Sequence, residues 1–308
     1  MGNVHLASKT LAAIEEAIAR DQGAAYRGHL GRVIPHMGDA YRDDPNDSGF
    51  RKHMGASLIG GECGRAIWYG FHWATKGNFT GRLLRLFNRG HLEEARMIAC
   101  LLTIGCTVYQ QDAEGKQFRI SDVGGHFGGS GDGVAIGIPD LPQGTAALLE
   151  FKTHNDKSFV KLVAEGVRGA KFEHYVQMQT YMQKMGLAAA LYLAVNKNND
   201  ELYGEIIPLE SSIGQQFTER ARTIIMLQHE APSRMNESPG FFKCKWCNHY
   251  GICHQKRMPE RNCRTCLHSQ ANTADGQWYC TAKPEPVALN EAQQLAGCSA
   301  YTVGRSYG

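Results

Sequence analysis

A chain of 308 residues, 43% of them hydrophobic, is long enough for one large domain with an appendage or for two modest domains, and this composition excludes wholesale disorder. The formal net charge of +3 neither demands nor excludes a polyanionic partner. The longest apolar run, residues 187–195, is too short to span a bilayer, and no basic segment followed by an apolar stretch opens the chain, so a soluble, cytoplasmic protein is expected.

The first element is an amphipathic helix over 6–22, with Leu11, Ile14 and Ile18 on one face. Residues 23–56 are rich in Gly, Asp and Pro and read as an irregular connection. A helix is expected from about Ser57 to 74, with its aromatic residues inward. A long helix follows over 81–103, and Leu84, Phe87, Ala95, Ile98 and Leu102 form its apolar stripe. The period then changes to two. Strands are expected at 106–111, 117–121, 131–138 and 146–153, separated by turn residues. Helices at 157–165 and 171–185 come next, then strands at 190–197 and 202–209 and a helix from about 210 to 229. This order predicts an α/β protein with a mixed, mainly antiparallel central sheet flanked by helices. After Pro239 the sequence turns short, polar and cysteine-rich, and a boundary near 255 separates residues 1–255 from a small metal-binding segment, 256–308.

Three residues in the sheet region carry chemistry. Asp132 follows a glycine-rich turn at the start of a strand. Glu150 and Lys152 lie two apart on a later strand, so both side chains share one face. Carboxylates on neighbouring strands suit a hard divalent ion, and a lysine beside the glutamate suits a water to be polarised. A salt bridge at a strand end is the bland reading of Glu150 and Lys152. Gln177 and Tyr181, four apart, share one helical face, and His91 and Glu94 lie three apart on the long helix.

Six of the ten cysteines fall between Cys244 and Cys280, and in a chain expected to be cytoplasmic such clustering points to metal ligands rather than disulfides. Cys100 and Cys106 read as buried thiols. Cys244, Cys247 and Cys253 leave a four-ligand site one short, and Cys63 is the upstream candidate. Zinc and an iron–sulfur cluster both accept four thiolates. Cys263, Cys266 and Cys280 suggest a small zinc ribbon, its fourth ligand being Cys298 or His268.

The order His91, Asp132, Glu150-x-Lys152, Gln177-x-x-x-Tyr181, bracketed by Cys63 and the Cys244, Cys247 and Cys253 set, resembles the RecB-like branch of the PD-(D/E)xK nucleases. Over residues 55–255 it is similar to the CRISPR-associated iron–sulfur exonucleases and has the character of their phage-encoded relatives. The resemblance implies a restriction-endonuclease-like fold and a metal-dependent DNA exonuclease acting on free ends, often of single strands, in recombination or repair, where a protein partner is possible. It implies Mg²⁺ or Mn²⁺ at Asp132 and Glu150 with His91 as a further ligand, and Lys152 positioning the water. It further implies that Gln177 and Tyr181 contact the strand, and that the four upstream cysteines hold a 4Fe–4S cluster. Arg82, Arg85 and Arg89 either line a backbone path or form a solvated face. An endonuclease or nickase with the same core, or a non-catalytic nucleic-acid-binding protein with structural metals, are the alternatives.

Overall fold

The computed structural model describes residues 4–37, 40 and 48–307. In chain order, α1 (Ser8–Arg20) and α2 (Ala24–Val33) lead to β1 (Met54–Gly55), α3 (Ala56–Ile59), α4 (Gly64–Phe71) and the long α5 (Gly81–Thr103). Then come β2 (Thr107–Tyr109), β3 (Arg119–Asp122), β4 (Phe127–Ser130), β5 (Gly133–Ile136) and β6 (Ala146–His154). They are followed by α6 (Asp156–Ala170), α7 (Phe172–Met185), β7 (Ala189–Asn196), β8 (Leu202–Pro208) and α8 (Ser211–Met226). The tail holds α9 (Phe242–Lys245), α10 (Tyr250–Gln255), β9 (Ser269–Ala271), β10 (Trp278–Cys280), β11 (Val287–Leu289) and α11 (Glu291–Ala296). No described helix is long and apolar enough to cross a membrane.

The chain divides into two compact units: residues 1–45, 79–120 and 130–214 form the first, and 46–78, 121–129 and 215–308 the second. The expected boundary near 255 falls inside the second unit.

The first unit is built on a five-stranded sheet of order β2-β5-β6-β7-β8. Its pairs are antiparallel except β6–β7, which is parallel and joined by the α6–α7 crossover. This is the mixed α/β sheet flanked by helices that the sequence predicts. Strand alternation divides β6 between two helical layers. Ala147, Leu149 and Phe151 join Ala95, Ile98 and Leu101 of α5 in one core. The even residues, Glu150 among them, face α7. The β6–β7 register sets Glu150 opposite Tyr192 and Lys152 opposite Ala194. The expected helix at 157–165 ends where Gly166 adopts φ +68°, a left-handed conformation that glycine takes without a Cβ penalty. There the Val167 amide leaves the helical ladder and donates to Glu205 Oε2 at 2.8 Å.

In the second unit, β1 pairs in parallel with β4, and β11-β10-β9 form a small antiparallel ribbon. Its core is aromatic: Trp68, Tyr69, Phe71, Trp73 and Trp278 are buried. The buried Arg264 guanidinium stands 3.7 Å from the Trp73 ring centroid and 4.8 Å from that of Trp278.

Three expectations need correction. The connection at 23–56 contains α2, stabilised by a turn in which Asp21 accepts from the Ala24 and Ala25 amides; its residues 38–39 and 41–47 lie outside the described residues. The helix expected over 57–74 breaks into α3 and α4 at the Gly60–Gly61 pair. Leu84 and Phe87, placed in the buried stripe of α5, are exposed, and only the second half of that helix packs its apolar face into the core.

Candidate active site and cysteine centres

The parallel β6 strand carries the centre of the candidate active site. Glu150 is 1% exposed, and its Oε2 accepts from Gln177 Nε2 at 3.0 Å. Its Oε1 is buried and ion-paired with the Lys152 ammonium, yet it receives no hydrogen bond of good geometry. Burial pushes the Glu150 carboxyl up to about 7; the Asp132 charge adds to this, while Lys152 and Gln177 oppose it. Burial alone would lower the pKa of Lys152, but the Glu150 and Asp132 carboxylates outweigh it and hold the ammonium above its ordinary range.

Asp132 stands just before β5. Its Oδ2 accepts from the Phe151 amide at 2.8 Å, beyond the last β5–β6 pair, Gly133 with Leu149. A Cβ on Gly133 would come within 2.8 Å of the Tyr109 carbonyl, so glycine lets β2 close against this corner. The Tyr181 hydroxyl donates to the Ser130 carbonyl at 2.9 Å, which fixes the turn leading into Asp132. Gln177 and Tyr181 were expected to touch a substrate strand. They are 6% and 2% exposed and face inward, onto Glu150 and onto that turn.

His91 projects from α5 with Nδ1 3.6 Å from Glu94 Oε1. These two residues separate two recesses. One, of about 410 Å³, has Lys152, Thr153, Lys197 and Phe87 in its wall; the other, of about 640 Å³, is lined by Asp132, Tyr109 and Gln117. The structure therefore brings Asp132, Glu150, Lys152 and Gln177 together and sets His91 on the same cleft. Arg82, Arg85 and Arg89 are exposed on α5 and outside the cleft wall. Arg89 is turned to the Lys197 carbonyl at 2.9 Å.

Two features were not assigned from sequence. Lys197, the first residue after β7, donates its amide to the His154 carbonyl at 2.9 Å and lines the cleft beside Lys152. A buried network extends from the same strand: the Tyr192 hydroxyl lies 2.9 Å from His154 Nε2 and 3.0 Å from His174 Nδ1. Burial first, then nearby lysines, lower His154 to about 4 and His174 to about 3, so both rings are neutral. A tyrosine inside the apolar run of β7 was the available signal.

In the second unit, Cys63 is the N-cap residue of α4. It lines one cavity of about 120 Å³ together with Cys244, Cys247 and Cys253. All ten cysteines are free thiols. Burial raises Cys244 and Cys247, and the thiolates of the set, Cys63 included, raise both further. Burial also raises Cys263, to about 11, reinforced by Cys266, Cys298 and Cys280. The Cys263 thiol is turned to the Gln293 carbonyl at 3.4 Å. Among the described residues no group of three or more His, Cys, Asp or Glu closes tightly enough to hold a single metal ion. Four sulfurs about 2.3 Å from one zinc would lie within about 4 Å of each other. Cys100 and Cys106 are buried, and burial raises them to about 12 and about 11.

No protein-family model matches the sequence, and no curated protein does. Among solved structures the chain is similar to SSO0001, at 14% identity over 76% of this chain and 98% of that one, with a TM-score of 0.40. It is similar to an alkaline exonuclease from Laribacter hongkongensis, LHK-Exo, at 14% identity over 56% of this chain and 86% of that one, with a TM-score of 0.40. LHK-Exo in complex with dAMP gives 16% identity over the same shares and a TM-score of 0.42. At these values no residue of those proteins transfers to this chain.

Proposed function

We propose that the chain is a divalent-metal-dependent deoxyribonuclease, an exonuclease that hydrolyses phosphodiester bonds from DNA ends. The observation that carries this reading is the buried Glu150 carboxylate, held by Gln177 on one oxygen and ion-paired with Lys152 through the other, with Asp132 across the β5–β6 corner. Two carboxylates set side by side next to a lysine suit a hard divalent cation. Asp132 and Glu150 would hold Mg²⁺ or Mn²⁺, with His91 drawn in from α5 as the third protein ligand; the three must close further to share one ion. When bound, the ion supplies Lewis acidity to the scissile phosphate and the attacking water. Lys152 orients that water and offsets negative charge growing on the phosphate. Gln177 keeps Glu150 ionised and aimed, and Tyr181 holds the turn that presents Asp132.

The cysteine centres are structural in this reading. Four cysteines lining one cavity offer the ligand set of a 4Fe–4S cluster at Cys63, Cys244, Cys247 and Cys253. Cys263, Cys266 and Cys280, with Cys298 or His268 as the fourth ligand, would hold a zinc. That site needs a small closure, with Cys263 turning from Gln293. The CRISPR-associated resemblance rests on the order of these motifs.

The test is digestion of end-labelled linear DNA and of circular single-stranded DNA, with Mg²⁺ or Mn²⁺ and with EDTA. Metal-dependent loss of the linear substrate alone is expected, and Asp132→Ala, Glu150→Ala and Lys152→Ala should each abolish it. Cleavage of circles assigns an endonuclease. Full activity in EDTA, or in any two of the variants, refutes the assignment.

A further inference from the structure

Of the four tryptophans, Trp68, Trp73 and Trp278 are at most 1% exposed, whereas Trp246 is 87% exposed. It stands in the turn between Cys244 and Cys247, closed by the Cys247 amide donating to the Cys244 carbonyl at 3.0 Å. The two thiols face the cysteine cavity, and the indole stands outside it. Phe242, 63% exposed, lies one turn before it. A tight turn that holds the largest apolar side chain in solvent forgoes the burial that stabilises the other three, and the fold gives no reason for it.

The charged side chains of the segment that carries the indole are all basic. Residues 240–257 contain Lys243, Lys245, Lys256 and Arg257 and no Asp or Glu. Lys243 is engaged by Glu62, at 2.6 Å from Oε1. Lys245, Lys256 and Arg257 form no ion pair among the described residues. An exposed aromatic next to an unpaired cation, Lys245, on a basic segment suits a polyanion that presents flat aromatic faces. We propose that this cysteine knuckle binds single-stranded nucleic acid, a base stacking on Trp246 and a flanking phosphate meeting Lys245. Duplex bases are already stacked on each other and offer no such face. The inference goes beyond cleavage, and binding measured without divalent metal lets it fail separately from the nuclease reading.

The test is fluorescence anisotropy of a labelled oligo(dT) strand with the full-length, anaerobically purified protein in EDTA. Trp246→Ala should weaken binding roughly 5- to 100-fold, the range of one lost base–aromatic stack. Trp246→Phe should retain most of the affinity and Trp246→Leu should not. Lys245→Gln should lower the slope of log affinity against log salt by about 0.7, one phosphate contact on a single strand. A 5-bromodeoxyuridine strand should photocrosslink at Trp246. Parental affinity in Trp246→Ala overturns the proposal, as does crosslinking confined to other residues. Leu serving as well as Phe also overturns it and assigns the knuckle to an apolar protein partner.

Discussion

Replacing Gln177 by Ala separates two roles for this side chain, a contact to the DNA strand and a brace for the carboxylate behind it. In the structure its amide donates to Glu150 Oε2 at 3.0 Å in a site closed to solvent. A hydrogen bond to a charged group is worth about 1.5–3 kcal/mol, and one pKa unit corresponds to about 1.4 kcal/mol. The bond favours the ionised form, so its loss raises the Glu150 pKa by roughly 1–2 units. Starting from about 7, the carboxyl would titrate at roughly 8–9 in the variant. A metal ion competes with the proton for these oxygens, so activity follows the ionised fraction. At pH 7.5 that fraction falls from about three quarters to between about a quarter and a thirtieth, a loss of roughly 3- to 25-fold. The rise of activity with pH should move to higher pH by the same 1–2 units or so, and most of the loss should be recovered near pH 9.5. The assay is single-turnover digestion of an end-labelled oligonucleotide across pH 6–10. A fall in activity at every pH, with a raised KM and an unmoved profile, would show that Gln177 serves the substrate and refute the brace.

His91→Ala should raise the Mn²⁺ concentration needed for half-maximal cleavage while leaving thermal stability near parental, since the ring is 41% exposed at the cleft; a lowered Tm with a normal metal titration would make His91 a structural residue. Cys63→Ala should remove the brown colour and the iron as completely as Cys247→Ala, while Cys263→Ala should deplete zinc and keep the colour. Full colour in Cys63→Ala, by absorbance and iron analysis, would remove Cys63 from the cluster. Arg264→Met strips the donors from the Phe71 and Lys52 carbonyls and from Gln294 Oε1, at 3.0, 2.9 and 2.9 Å. It should cost about 3–5 kcal/mol of stability in urea denaturation, as loss of one partner from a buried charged network does; a cost near zero would mean that solvent already reaches the guanidinium.

Where the sequence reading failed, it failed for reasons specific to each residue. The long helix α5 spans 81–103 as expected, because its apolar period is strong. That period does not tell which end of the stripe meets a sheet, so Leu84 and Phe87 were assigned to a core that only the second half touches. The Gly60–Gly61 break lay in plain view, but the apolar pattern around it favoured one continuous helix. Gln177 has the spacing of a surface contact and the burial of a core residue, and spacing carries no information about burial.

The sequence by itself determined the strands of the five-stranded sheet and the helices α1 and α5 to α8, that Glu150 and Lys152 share one face of β6, and that Cys244, Cys247 and Cys253 lie on one short knuckle. These follow from local geometry: the strand period of two, the helical period of 3.6 and the reach of a few residues of chain. Only the tertiary structure decided that Cys63 closes on a knuckle about 180 residues away, that Lys197 joins Lys152 in the cleft, and that Gln177 turns inward to hold Glu150. Each depends on which surfaces the chain buries against each other. In the first unit the parallel β6–β7 crossover lays α7 over the even residues of β6 and ends β7 opposite His154, which sets Lys197 in the turn beside it. There a buried carboxylate needs a donor, and the Gln177 amide supplies it.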